Sequence, residues 1–127
     1  MRSLVGIWFV DGLPSGEEGI LVITPEWRAV QFSTSVSNPE KHPIHRLWMF
    51  ADSEEHIRFS AAPNDPGWVR RIEWGELDWT MIAIQDQTET RFRCRPAKEE
   101  CLPDWFPEML GKSLAWMRER EMKEKVG

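Results

Sequence analysis

Three histidines, two cysteines and a late cluster of arginines are the residues whose types could do chemistry in this 127-residue chain. His42 and His45 flank Pro43-Ile44, and His56 follows on the next extended segment. A zinc site needs three or four such ligands converging on one point. His56 falls beside Asp52 at a turn, whereas His45 lies about seven residues back along the preceding strand, roughly 23 Å away at strand rise. The two do not meet through that hairpin, and no further Cys/His spacing adds a ligand, so surface histidines and no metal are expected. Cys94 has no obvious His partner, and no Gly-x-Ser-x-Gly elbow or phosphate-cradling Gly-rich motif is present. Glu54-Glu55 and Glu99-Glu100 sit in loop sequence, where carboxylates are solvated. No catalytic residue and no cofactor is assigned, and an enzyme is the least supported reading.

Arg70 stands apart. In Trp68-Val69-Arg70-Arg71-Ile72-Glu73-Trp74 the alternation puts Arg70 on the face of Trp68, Ile72 and Trp74. A guanidinium on an apolar inner face is costly unless it is paired. Either it sits near a rim and extends its head to water, or it anchors the carboxylate or phosphate of a ligand. The neighbouring Arg71, Arg91, Arg93 and Arg95 are interleaved with Glu73, Glu76 and Glu89. With a net charge of −5, this pattern reads as a mixed-charge sheet surface rather than the basic face that nucleic acid requires.

The length gives one domain over residues 1–127. A chain of this size buries roughly two thirds of its unfolded surface and needs no metal or disulfide to fold. Eight Trp with no Tyr is unusual, and rings of that size call for a roomy core, a pocket or an interface. No apolar run approaches the roughly 18 residues of a membrane span, and no leader is visible, so a cytoplasmic protein with reduced thiols is expected. A Cys94–Cys101 bridge is nevertheless open geometrically, because Cys101 lies just past the segment that carries Cys94.

The elements that would position Arg70 are short strands. Leu4 to Val10 is apolar on both faces and must be covered on two sides, or lie where a sheet closes on itself. Gly12 to Gly19 is turn sequence. Ile20 to Thr24 is again apolar on both faces, Pro25-Glu26-Trp27 is a tight turn, and Arg28 to Thr34 alternates. Ser35 to Pro43 is a loop. Arg46 to Asp52 and His56 to Ala61 pair around Ser53-Glu54-Glu55, setting Ala51 against Ile57, Met49 against Phe59 and Leu47 against Ala61. Trp48 and Phe50 then face the other way and need cover. After the turn Pro63-Asn64-Asp65-Pro66-Gly67, Trp68 to Trp74 and Trp79 to Gln85 pair around Gly75-Glu76-Leu77-Asp78. Asp86-Gln87 leads to a last strand, Thr88 to Arg95. A turn of two or four residues puts Phe92 and Cys94 with Met81 and Ala83 and the arginines opposite, whereas a three-residue turn reverses this. Keeping the arginines off the apolar face favours the first. Asp104 is the expected N-cap of a helix to about Met122, with Phe106, Met109, Leu110, Ser113, Leu114 and Met117 on one stripe. Eight strands without intervening helices predict an all-β, antiparallel up-and-down barrel with one C-terminal helix outside.

Gly6-Ile7-Trp8 matches the first-strand Gly-x-Trp of lipocalin-like barrels of the calycin group, which the chain resembles. Gly19-Ile20-Leu21-Val22-Ile23-Thr24-Pro25-Glu26-Trp27-Arg28 is similar to the "GYLIYTPDGR"-like hairpin of bacterial lipocalin-like domains, with Trp27 where Gly is expected. An Arg ending the last strand before a C-terminal helix resembles the same layout. The resemblance implies that Trp8 plugs the closed end of the barrel beneath Arg95 or Arg93. It also implies non-enzymatic binding of a small apolar or amphipathic, even anionic, ligand. The inner face would supply Arg70, Ile72, Trp74, Met81, Met49, Phe59 and Phe92. The alternative is a filled barrel acting as an interaction or structural module, with Trp48, Phe50 or Trp116 on a homodimer or partner surface.

Overall fold

The computed structural model describes residues 3–12, 18–32, 44–51, 55–63 and 65–126. In chain order the strands are β1 (Gly6–Asp11), β2 (Gly19–Ile23), β3 (Arg28–Phe32), β4 (Ile44–Ala51), β5 (His56–Ser60), β6 (Trp68–Trp74), β7 (Trp79–Gln85) and β8 (Thr88–Pro96), followed by helix α1 (Phe106–Val126). Each strand pairs antiparallel with the next. β8 returns to β1, with Phe9 opposite Arg95 and Val10 opposite Cys94, so the eight strands close an up-and-down barrel. Closure leaves no free sheet edge.

The two strands that are apolar on both faces are covered on both. Trp8 and Val10 of β1 and Leu21 and Ile23 of β2 point into the barrel core. Ile7, Phe9, Ile20 and Val22 point outward into a second cluster beneath α1. β2 is buried at every position as a result. The helix contributes Phe106, Met109, Leu110, Leu114 and Met117 to this outer cluster, and the fully buried Ser113 lets it sit close to the sheet. Phe32 of β3 meets Trp105 and Phe106 edge-on, at centroid distances of 5.4 and 5.7 Å. Trp48 is covered, at 3% exposure, but Phe50 remains 48% exposed. Phe50 lies opposite Arg58 on β5, outside the cluster that α1 covers.

The helix starts at Phe106 rather than Asp104, because the Phe106 N–H is taken by the Pro103 carbonyl and the first helical bond runs from Met109 to Trp105. It also runs past Met122 to Val126. Glu121 ties this far half to the barrel: Trp48 Nε1 donates to Glu121 Oε1 at 2.9 Å, and the Arg28 guanidinium pairs with the same oxygen. We expect Glu121→Ala to lower stability by about 1–3 kcal/mol, since it leaves two donors without their acceptor. The urea midpoint should fall with its slope unchanged; an unmoved midpoint would show that this clasp does not hold the helix.

The turns set the registers. In the β2–β3 hairpin the Trp27 N–H donates to the Thr24 carbonyl at 3.0 Å and the Thr24 N–H to Arg28 at 2.9 Å. Pro25-Glu26 thus forms a type I turn followed by one left-handed residue, Trp27 at φ 62°. That is the place where the resemblance expects Gly. A left-handed non-Gly residue costs roughly 1–2 kcal/mol. Here the cost is offset, because the indole packs on the barrel core and the Trp27 carbonyl accepts the Met49 N–H at 3.0 Å. Between β5 and β6, Gly67 has φ +69°, and a Cβ there would lie 1.8 Å from the Phe59 carbonyl oxygen, so only Gly fits. Asp86 and Gln87, at φ 51° and 66°, form a two-residue hairpin turn. Met81 therefore faces Phe92 and Trp79 faces Cys94, and Arg91, Arg93 and Arg95 point outward.

On that outer face Arg91 pairs with Glu73 and Glu89, both at 2.9 Å, and Arg93 with Asp78 at 2.6 Å. Ile82 shares this face, opposite Arg71 and Arg91, yet is only 2% exposed. The aliphatic stems of its ion-paired neighbours cover it. The turn at Ser53-Glu54-Glu55 lies outside the described residues except for Glu55, as do the Ser35–Pro43 loop and His42. The flanking pairs Ala51–Ile57 and Met49–Phe59 are as expected.

Candidate functional site in the barrel interior

The barrel core brings the expected ligand-facing residues onto one lining. Met49, Phe59, Ile72 and Met81 are buried within it, and Trp74 and Phe92 pack against it half-buried. β6 carries Arg70 opposite Ile57 of β5. The Arg70 guanidinium lies 5.8 Å from the centroid of the Phe92 ring, a cation–π distance. Two residues along β6, Trp68 stacks obliquely on Phe59 at 6.4 Å and stays 40% exposed. Arg70 and Trp68 therefore sit toward the end of the barrel that carries the β5–β6 and β7–β8 turns. Among the described residues no carboxylate pairs with Arg70 and no group accepts its hydrogen bonds. Burial pushes its guanidinium below the ordinary Arg value.

The opposite end is filled with indoles. Trp8 and Trp79 meet edge-on at 5.7 Å, and Trp74 lies 6.5 Å from Trp79. Trp8 Nε1 donates to the Leu4 carbonyl at 2.8 Å, which ties the segment preceding β1 across this end. Trp79 Nε1 is buried and donates to no acceptor among the described residues. That orphaned donor was not legible in the sequence, because alternation alone makes Trp79 an ordinary core residue.

The expected stack of Arg95 on Trp8 does not form. Arg95 lies opposite Phe9, the outward neighbour of Trp8, so the two side chains leave the sheet on opposite sides. Arg95 instead binds Asp11 at 3.0 Å and the Glu18 carboxylate. The Asp11 hydrogen bond raises its guanidinium above the ordinary value. Arg93, the other candidate, is likewise outside, on Asp78.

The remaining reactive groups stay apart. Cys94 is buried in the core and Cys101 is exposed, and both are free thiols. Burial pushes the Cys94 thiol up to about 12, which keeps it protonated and a poor nucleophile at neutral pH. His45 and His56 stand at opposite ends of the β4–β5 hairpin. Among the described residues no three His, Cys, Asp or Glu side chains come together as a metal site. Among them, no helix is long and apolar enough to cross a membrane.

No family model, curated protein or solved structure matches this chain. The geometry of the site is a closed barrel, a Trp-filled end, and the half-buried Arg70 guanidinium near the other end.

Proposed function

We propose that the barrel interior binds a small amphipathic anion without catalysis, in the manner of lipocalin-like barrels. The observation that carries this reading is Arg70, a half-buried cation on the inner face, over Phe92, with no acidic partner among the described residues. A desolvated guanidinium without a counter-ion is unfavourable on its own and suited to a carboxylate or phosphate head group. Ile72, Met81, Met49 and Phe59 would take the apolar tail, with Trp74 beyond them. The eight-stranded closure and Gly6-Ile7-Trp8 on the first strand support the family layout.

Arg70→Met tests the reading. A charge-assisted contact is worth about 1.5–3 kcal/mol, so the variant should bind decanoate roughly ten- to hundredfold more weakly. Decanol should bind wild type and variant alike, with Trp fluorescence as the readout. Equal loss for acid and alcohol would make Arg70 a structural residue. A second reading, a filled barrel that serves as an interaction module or homodimer, is favoured by the indole cluster of Trp8, Trp74 and Trp79. It predicts no binding of either probe by the wild type.

A further inference from the structure

Outside the barrel, the chain that leaves β8 does not lie flat on the sheet. Ala97 continues the ladder to β1 by donating to the Ile7 carbonyl at 2.9 Å. A 3-10 turn at Glu99–Cys101 and the buried Pro103 then swing the chain into α1. Between this connection and the first turns of α1 lies a groove of about 640 Å³, within the range of small-molecule sites. Its floor and walls are apolar, with Ile7, Leu102, Phe106, Leu110 and Leu114 lining it. Gly111 forms part of the α1 wall, and a Cβ placed there would meet nothing within 4 Å. Glycine inside a helix lowers its stability relative to alanine; here its effect is to keep the groove wide.

The polar part of the lining is of one sign. Glu99 and Asp104 are the charged residues of the groove wall, and neither is paired with a described residue. Lys112, the nearest basic residue on the helix, is engaged by Glu108 at 3.3 Å. The amino end of α1 carries partial positive charge, which by itself favours anions. Two full carboxylates beside it, with Glu108 in the first turn, outweigh that half-charge, and Pro107 removes one of the free N–H groups.

We propose that this groove is a second binding site, for a small amphipathic cation. Its aliphatic or aromatic body lies on Leu102, Phe106 and Leu110, and its ammonium group lies between Glu99 and Asp104. The charge preference is opposite to that proposed for the barrel interior, and the two sites are separated by the wall of the sheet, so neither depends on the other.

Octylammonium, octanol and octanoate, each titrated into the full chain below its micelle concentration, test this. The methyl signals of Leu102, Leu110 and Leu114 are the readout. Octylammonium should shift them saturably, octanol should bind about tenfold more weakly, and octanoate should leave them in place. The double variant E99Q/D104N should bind octylammonium no better than octanol while melting like the wild type. Gly111→Leu, which fills the groove from the helix side, should abolish both without lowering the melting temperature. Arg70→Met should leave octylammonium binding untouched, which separates this site from the barrel. The proposal is overturned if octylammonium leaves the three leucines unmoved, or if E99Q/D104N binds it as tightly as the wild type. It is equally overturned if the same methyl signals move with protein concentration alone, because the groove would then be covered by a second copy of the chain.

Discussion

Trp8→Ala should destabilise the protein by about 3–5 kcal/mol, the cost of deleting a large aromatic from a packed core. Three losses combine. The edge-on contact with Trp79 at 5.7 Å disappears. The Leu4 carbonyl loses the indole N–H that ties the segment before β1 across the barrel end. The space left behind opens onto Trp74 and Trp79, which are held by strands at fixed register and can collapse only in part. Arg95→Ala should cost far less, about 1 kcal/mol or below, because its ion pairs with Asp11 and Glu18 lie at the surface. Since Trp8 and Arg95 share no partner and stand on opposite faces of the sheet, the double variant should be close to the sum of the two. Urea melts of the four proteins decide this. A near-neutral Trp8→Ala would mean that the indole does not close this end of the barrel, and strong non-additivity would mean that the two residues communicate through the sheet.

The second large effect is removal of the helix. A chain ending before Asp104 should bind an apolar dye strongly and self-associate. Loss of α1 uncovers Ile20, Val22, Val30, Phe32 and Trp48 together, all now buried at 6% exposure or less. These form one contiguous apolar face on β2, β3 and β4, of the kind that monomers do not expose. Met117→Lys gives a gentler test of the same contact, because it places a charge at a helix position only 1% exposed. Light scattering and dye fluorescence are the measurements. A truncated chain that remains monomeric and melts like the full one would show that the helix is an accessory rather than half of the outer core.

Strand pattern, turn chemistry and covering helix were all legible in the sequence because each depends on neighbours a few residues apart. Period-two alternation around Gly75-Glu76-Leu77-Asp78 sets Ile72 opposite Met81 whatever the rest of the chain does. The stripe from Phe106 to Met117 needs only the helical period. The doubly apolar runs at Leu4–Val10 and Ile20–Thr24 announced two covers, and Trp48 announced one. What the sequence determined by itself is therefore the order of the elements, the register of most hairpins, the closed barrel and the inner position of Arg70.

The tertiary structure decided what depends on distant segments meeting. The left-handed Trp27 holds because its indole packs on the barrel core and its carbonyl accepts the Met49 N–H across the strands, which together offset the local strain. The face of Arg95 depends on how β8 meets β1, a pairing between segments 84 residues apart, and that register sends it outward to Asp11 instead of onto Trp8. Phe50 stays uncovered because the helix lies over β1 to β4 and stops short of it. The orphaned Trp79 N–H and the acidic groove beside Gly111 exist only where three or more segments converge. Local sequence carries no signal for them, since burial and charge at such places are properties of the assembled surface and not of any one stretch.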